Sequence, residues 1–458
     1  MITGAGIGTG LAFLVKENGA LLPLYLWVME ITLLRELKPS RWIGSWRAAL
    51  ALPGVLLVLY WVVRWDALSE SMQSRPFTLV ERLLTEPKIL ADYVSLMFFP
   101  VRNALGPFHD DYPAVHGLFD PPATFIYVFG WLMLVAFAVI QRKRFPLLAF
   151  GVFWFLVGHS LESTVFNLEL YFEHRNYLAS LGPWAIICAL LWRLPLEQRR
   201  LGLVVFFLYL GLQAFILREL AIVWGTPRVA AEMWLAKHPA SERARQNLVD
   251  KYLRMGQETK ALALIKEGFT QNPTIVGLGL QWLELACAKG EDISAGIAEV
   301  LPGLRHGDRS YSAIEALRQM KEELAEKACP SLSADILHQM LDELLDNAQY
   351  RTDPLARAEL HRLKAAFYLQ DRNLDPLMRH LEASFDARPN LDTGMLMLGA
   401  LHSAGLFDVA LEKFAYIRSR APLNPLARRQ WDKRLEEVEP DLKAALVKSK
   451  SVSLEKSK

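Results

Sequence analysis

The sequence predicts an all-α protein: a polytopic bundle of about seven transmembrane helices, followed by an α-solenoid of tetratricopeptide-like helix pairs. Three observations predict it. Of 458 residues, 52% are hydrophobic and only 22% charged, and the mean hydropathy is +0.17, which is too apolar for a disordered or wholly soluble chain. Charge is unevenly spread, with 18 Lys/Arg and 16 Asp/Glu in residues 1–220 against 33 and 33 in the rest, and nine of the thirteen Trp fall in the first part. Beyond residue 220 the apolar spacing changes to a 3.6-residue period without strand-like alternation. The net charge of +2 argues against a nucleic-acid partner.

A crossing helix needs about 20 mostly apolar residues. Such runs lie near 1–15 (short), 19–34, 46–65, 123–141, 145–161, 178–193 and 201–218. The amino terminus lacks the basic region and cleavage site of a secretory signal, and it reads as a helix entered partway along. Lys and Arg concentrate in alternate loops: Arg35, Lys38, Arg41 and Arg47, then Arg142, Lys143 and Arg144, then Arg193, Arg199 and Arg200. Those loops are expected to face the cytoplasm. The intervening loops, 16–18, 66–122 and 162–177, carry most of the acids and are expected outside. Trp42, Trp46, Trp61, Trp65, Trp131 and Trp192 fall near span ends, where an indole anchors at the interface.

The external loop 66–122 contains FTLVERLLTEPKILADYVSLMFFPV, amphipathic at its start and broken by Pro87, with a run too short to span. Two interfacial or re-entrant helices are expected there, roofing a cavity suited to a lipid-linked substrate.

Residues 221–440 read as the solenoid. Leu248, Tyr252, Gly256, Ala261 and Pro273 have the spacing of a 34-residue tetratricopeptide helix pair, a weaker copy contains Tyr368 and Pro389, and a third holds Leu398, Gly399, Gly405, Ala410, Phe414 and Pro422. Each pair buries its apolar stripe only against its neighbours, and the stack leaves a concave groove for a peptide or protein partner. Residues 441–458 are polar, small and basic and are expected to form a flexible tail. With seven crossings the solenoid falls on the extracytoplasmic, periplasmic side of an inner membrane. Cys188, Cys287 and Cys329 have neither metal-ligand spacing nor an even disulfide count, so quiet, buried thiols are expected.

Three polar clusters lie beside the spans. Lys16-Glu17-Asn18 separates two apolar runs, where ionisable groups are costly enough to be functional candidates, Glu17 as a catalytic acid among them, although a short external hairpin would solvate them too. His109-Asp110-Asp111, with His116 following, offers ligand types that hold a divalent cation, although loop acids of this kind are more commonly solvated, and no metal site is assigned. The densest cluster runs from His159 to Tyr177. There Arg175 has the planar fork that grips phosphate, and Glu162, Glu169, Glu173 and His174 can serve as acid, base or orienting partner. The structural alternative is a network in which Glu173 or Glu169 neutralises Arg175. No nucleophile elbow, phosphate-cradling glycine loop or zinc spacing is present.

A Lys-Glu pair ending an early span, an interfacial stretch ending in Pro before an Asp-bearing loop, the segment Arg175-Asn176-Tyr177-Leu178-Ala179-Ser180-Leu181-Gly182, and the repeats that follow resemble the TMTC type of O-mannosyltransferase and its bacterial relatives. The resemblance extends over essentially the whole chain, with Ala179 standing where the family has Pro. It implies a GT-C-fold membrane glycosyltransferase with a polyprenyl-phosphate sugar as donor, an acceptor outside the cytoplasm, and Arg175, Lys16 and Tyr177 near the donor phosphate. The family's acidic first external loop has no counterpart, since the first acid is Glu17. No catalytic base is carried over, and a member lacking its amino-terminal part, or one that has lost catalysis, is expected. Two other functions compete: a non-catalytic membrane-anchored repeat scaffold for envelope assembly, and, less favoured by the lack of repeated broken helices, transport.

Overall fold

The computed structural model describes residues 2–36, 43–72, 75–100, 105–326 and 329–456. All regular structure among them is helical apart from one bridge between Gly117 and Asp120. The basic residues Lys38 and Arg41, and Trp42 beside them, lie outside the described residues. The chain divides into two compact units, Met1–Ala261 and Leu262–Lys458.

In the first unit, α1 (Ile2–Val15) ends at Lys16 and a 3₁₀ turn, Glu17–Leu21, leads into α2 (Leu22–Thr32). Then come α3 (Ile43–Val63), α4 (Trp65–Ser71), α5 (Leu79–Phe98), α6 (Ala123–Gln141), α7 (Pro146–His159), α8 (Asn176–Ala179), α9 (Leu181–Arg193) and α10 (Leu196–Trp224). Of the seven expected crossings, α3, α6 and α10 are long and apolar enough to cross a membrane, and on that ground the protein is membrane-associated. The helices α1, α7 and α9 are apolar but shorter; the 14 residues of α1 cover about 21 Å at the helical rise, against the ~30 Å of a hydrocarbon core. Where α7 meets α9, Gly151 and Gly182 face one another, and a Cβ on either would strike the other's backbone.

The interfacial segment is one helix rather than the two expected. Its start is fixed by a capping box, in which the Glu81 backbone N–H donates to the Thr78 hydroxyl while the Thr78 N–H donates to the Glu81 carboxylate. The helix continues through Pro87. An interior proline costs roughly 3 kcal/mol, and the buried stripe Arg82, Thr85, Ile89 and Tyr93 on both sides of it offsets that cost. Near its far end the Tyr209 hydroxyl donates to the Met97 carbonyl at 2.7 Å, and Phe98 packs edge-on against Trp184. Tyr209 lies midway along the apolar stretch of α10, so α5 ends beside the middle of a helix long enough to cross a membrane.

The contact boundary at 261 lies beyond the composition boundary at 220, because α11 (Pro227–Lys237) and α12 (Glu242–Arg254) pack onto the first unit's loops. Trp234 of α11 meets Phe108 and Trp224 edge-on. The Asp110 carboxylate accepts from the Ser241 hydroxyl at 2.6 Å and the Arg243 backbone N–H at 3.3 Å, supplementing the Ser241 cap of α12.

α13 (Glu258–Gln271) crosses the division. The second unit continues with α14 (Val276–Ala288), α15 (Ser294–Val300), α16 (Tyr311–Glu326), α17 (Ala334–Asp346), α18 (Ala348–Thr352), α19 (Pro354–Gln370), α20 (Leu374–Ala387), α21 (Leu391–Ser403), α22 (Phe407–Ser419) and α23 (Pro425–Lys456). Successive helices pack on their neighbours from α19 onward, and α14 packs on α16. One core joins Leu381 and Phe385 of α20, Met397 and Leu401 of α21, Phe414 and Ile417 of α22, and Trp431 and Leu435 of α23. The backbone of the segment expected to be a flexible tail continues helical in α23 to Lys456.

The cysteine expectation is corrected here: Cys287 and Cys329 form a disulfide with Cα atoms 5.0 Å apart, while Cys188 is free and exposed on α9. A separation of 42 residues carries no sequence signal of pairing. It is the packing of α14 beside α16 that brings the two together.

Candidate functional site

The buried face of α5 meets the loop 160–175. Arg82 is fully buried, with 0% of its surface exposed. Its guanidinium donates to the carbonyls of Thr164, Leu168 and Glu162, each at 2.6 Å, and Nη2 lies 3.1 Å from Glu86. This side chain folds the acidic loop around itself. Burial pushes the Glu86 carboxyl up to about 7, against the pull of Arg82 and Arg175, and lowers Arg82 to about 10. Neither Glu86 oxygen has a hydrogen bond of good geometry. The Tyr93 hydroxyl accepts from the Phe172 N–H at 2.7 Å, and its ring stacks on the buried His159.

Arg175 is anchored in the same way. Its Nε lies 3.2 Å from Glu162, Nη1 donates to the Leu170 carbonyl at 3.0 Å, and Nη2 donates to the Glu169 carbonyl at 2.8 Å. Only 5% of the side chain is exposed. The other Glu162 oxygen accepts from Asn18 Nδ2 at 2.5 Å. Thus the first and third polar clusters of the sequence meet at Glu162, through Asn18; Lys16 and Glu17 themselves are exposed.

The second cluster joins through Glu173, whose Oε1 lies 2.7 Å from His109 Nε2 and accepts from the Gly106 N–H at 3.1 Å. The remaining acids hold α11 and α12. Asp111 lies 2.9 Å from His238 Nδ1, Asp110 supplements the α12 cap, and Glu169 pairs with Arg243. His109, Asp110 and Asp111 therefore point to three different partners, and among the described residues no three His, Cys, Asp or Glu side chains group to hold a metal ion. His174 is exposed and Tyr177 is 91% exposed, so neither shares the buried junction.

Arg82 and Glu86 were not singled out from the sequence. At helical spacing on an amphipathic segment they read as a solvated charged face. The one available signal was that their stripe coincides with Ile89 and Tyr93, apolar residues of the same face.

Comparison with protein-family models, with curated proteins and with solved structures gave no match.

Proposed function

We propose that this chain is a membrane glycosyltransferase of the GT-C type, moving a sugar from a polyprenyl-phosphate donor to an acceptor outside the cytoplasm, with its helical repeats on that same side. One observation carries the reading. At one end of α7, Asn18, Glu162 and Arg175 converge beside Glu86, a carboxyl whose burial pushes it up to about 7, toward the range in which a general base works best. In this reading the shorter apolar helices α1, α7 and α9, together with α2, complete a seven-crossing bundle. The Cys287–Cys329 disulfide supports an oxidising, extracytoplasmic location for the second unit.

The test uses membranes containing the chain, a radiolabelled polyprenyl-phosphate sugar, and the label recovered in protein or glycan. Glu86→Gln, at unchanged membrane level, is expected to reduce transfer at least tenfold. Full transfer by that variant, or none by the unaltered chain, would remove the reading. A second reading then takes its place, a non-catalytic repeat scaffold anchored in the membrane. It is favoured by the Arg175 guanidinium, whose three nitrogens already face internal acceptors.

A further inference from the structure

α19 and α20 pack against one another across the short turn 371–373. One face of this pair is apolar, and its Leu363, Leu369, Leu377 and Leu381 line a cavity of about 270 Å³. A different face of α19 carries His361, Lys364 and Tyr368, three and four residues apart and so stacked along the helix. There His361 meets His380 of α20, with their Nδ1 atoms 3.0 Å apart. Neighbouring rings hold the pair in place. Tyr368 stacks on His380 with 7° between the planes and 5.5 Å between centroids, and His338 of α17 tilts against Tyr368 at 5.2 Å. Both imidazoles of the pair are half-buried, so a small ion in solvent reaches them.

Two ring nitrogens this close cannot both carry a proton, because two N–H groups facing one another repel; at least one presents a lone pair. An imidazole nitrogen in that form is a metal donor. Moving the proton of the other ring from Nδ1 to Nε2, a tautomer change that leaves the net charge as it was, gives two donors directed at the same point. Two imidazole nitrogens on one ion, each ~2.0–2.1 Å from it, stand about 3 Å apart, which is the separation the packing of α19 on α20 already sets. The surrounding charge allows a cation. The Lys364 ammonium is tied to the Asp342 carboxylate, and Arg357 and Arg379, which also act on the pair, are exposed, where solvent and salt screen them.

We propose that His361 and His380 form a two-histidine site for one divalent transition-metal ion, with water completing its coordination and with Cu²⁺ held more tightly than Zn²⁺, as the order of affinities for nitrogen donors requires. Bound there, the ion clips α19 to α20 on a face other than the one that lines the groove. The site stands apart from the buried junction around Arg175, and neither proposal depends on the other.

The test uses the full chain in lipid nanodiscs, carrying no polyhistidine tag and stripped of metal, titrated with CuCl₂ and separately with ZnCl₂ at pH 7.5. One Cu²⁺ per chain is expected to bind at least tenfold more tightly than any further ion and more tightly than Zn²⁺, and its electron paramagnetic resonance spectrum should show coupling to two imidazole nitrogens. His361→Asn and His380→Asn should each weaken binding of that ion at least tenfold, while His402→Asn, which removes an exposed histidine of α21, should leave it unchanged. Amide exchange in α19 and α20 should slow when the ion is bound and recover on adding a chelator. Coupling to fewer than two nitrogens in the unaltered chain, a reading that needs no variant to fold, would overturn the proposal. So would tighter binding of Zn²⁺ than of Cu²⁺, full affinity in His361→Asn or His380→Asn, an equal loss in His402→Asn, or unchanged exchange in α19 and α20.

Discussion

Replacing Glu86 by Gln should change how the stability of α5 depends on pH. The folded carboxyl titrates near 7 instead of its ordinary 4.5, so between these values the folded state binds a proton that the opened state has released. Stability therefore falls as pH rises through that window, by about 3 kcal/mol in all, since each unit of difference in proton affinity is about 1.36 kcal/mol. Burial is the main cause, and the group is 3% exposed, so solvent screening takes little away. Glutamine keeps the shape, carries no charge and should abolish the slope. Amide hydrogen exchange across residues 79–98 reports it, measured in detergent at pH 5 and pH 7.5 and corrected for intrinsic exchange. Protection of the unaltered chain should drop toward pH 7.5, and that of the variant should stay level. A flat profile in the unaltered chain, or equal slopes in both, would refute the claim that Glu86 is buried in ionisable form beside Arg82.

Two further outcomes are expected. Replacing Cys287 and Cys329 together by Ser should cost the second unit about 4 kcal/mol, from the entropy of a closed loop of the observed 42-residue separation; thermal unfolding with and without reductant checks this, and reductant should leave the double variant unchanged. His238 is raised from its ordinary value chiefly by its hydrogen bond to Asp111, so its stabilising effect is present at acid pH and is lost as pH rises through the raised value. Exchange protection of α11 should accordingly fall between pH 6 and pH 8.5, and less so in His238→Gln, whose amide carries no titrating charge.

The helical character of the chain was legible because it is written in local pattern: runs of apolar residues, and then the recurrence of Leu248, Tyr252 and Ala261. Of these Leu248 and Ala261 are buried, in helices joined at Gly256. The polar residues were legible only as clusters. Asp110 and Asp111 carry the same chemistry whether they ligate a cation, sit in water or hold another helix, and nothing near them in sequence distinguishes these cases. The structure gives Asp110 to Ser241 and the start of α12, and Asp111 to His238, partners more than a hundred residues away. Arg175 shows the same limit, since its fork suits a phosphate as well as it suits Glu162 and two carbonyls.

The sequence by itself determined that the chain is helical, that its first half holds helices able to cross a membrane, and that its second half is built of amphipathic helices. These follow from composition and from periodicities that each segment carries alone. Only the tertiary structure decided that Arg82 organises the acidic loop, that Glu86 is buried beside it, that Cys287 meets Cys329, and that His361 stands against His380. Each depends on which segments pack together, and that packing sets the burial from which a carboxyl, a thiol or a guanidinium takes its chemistry.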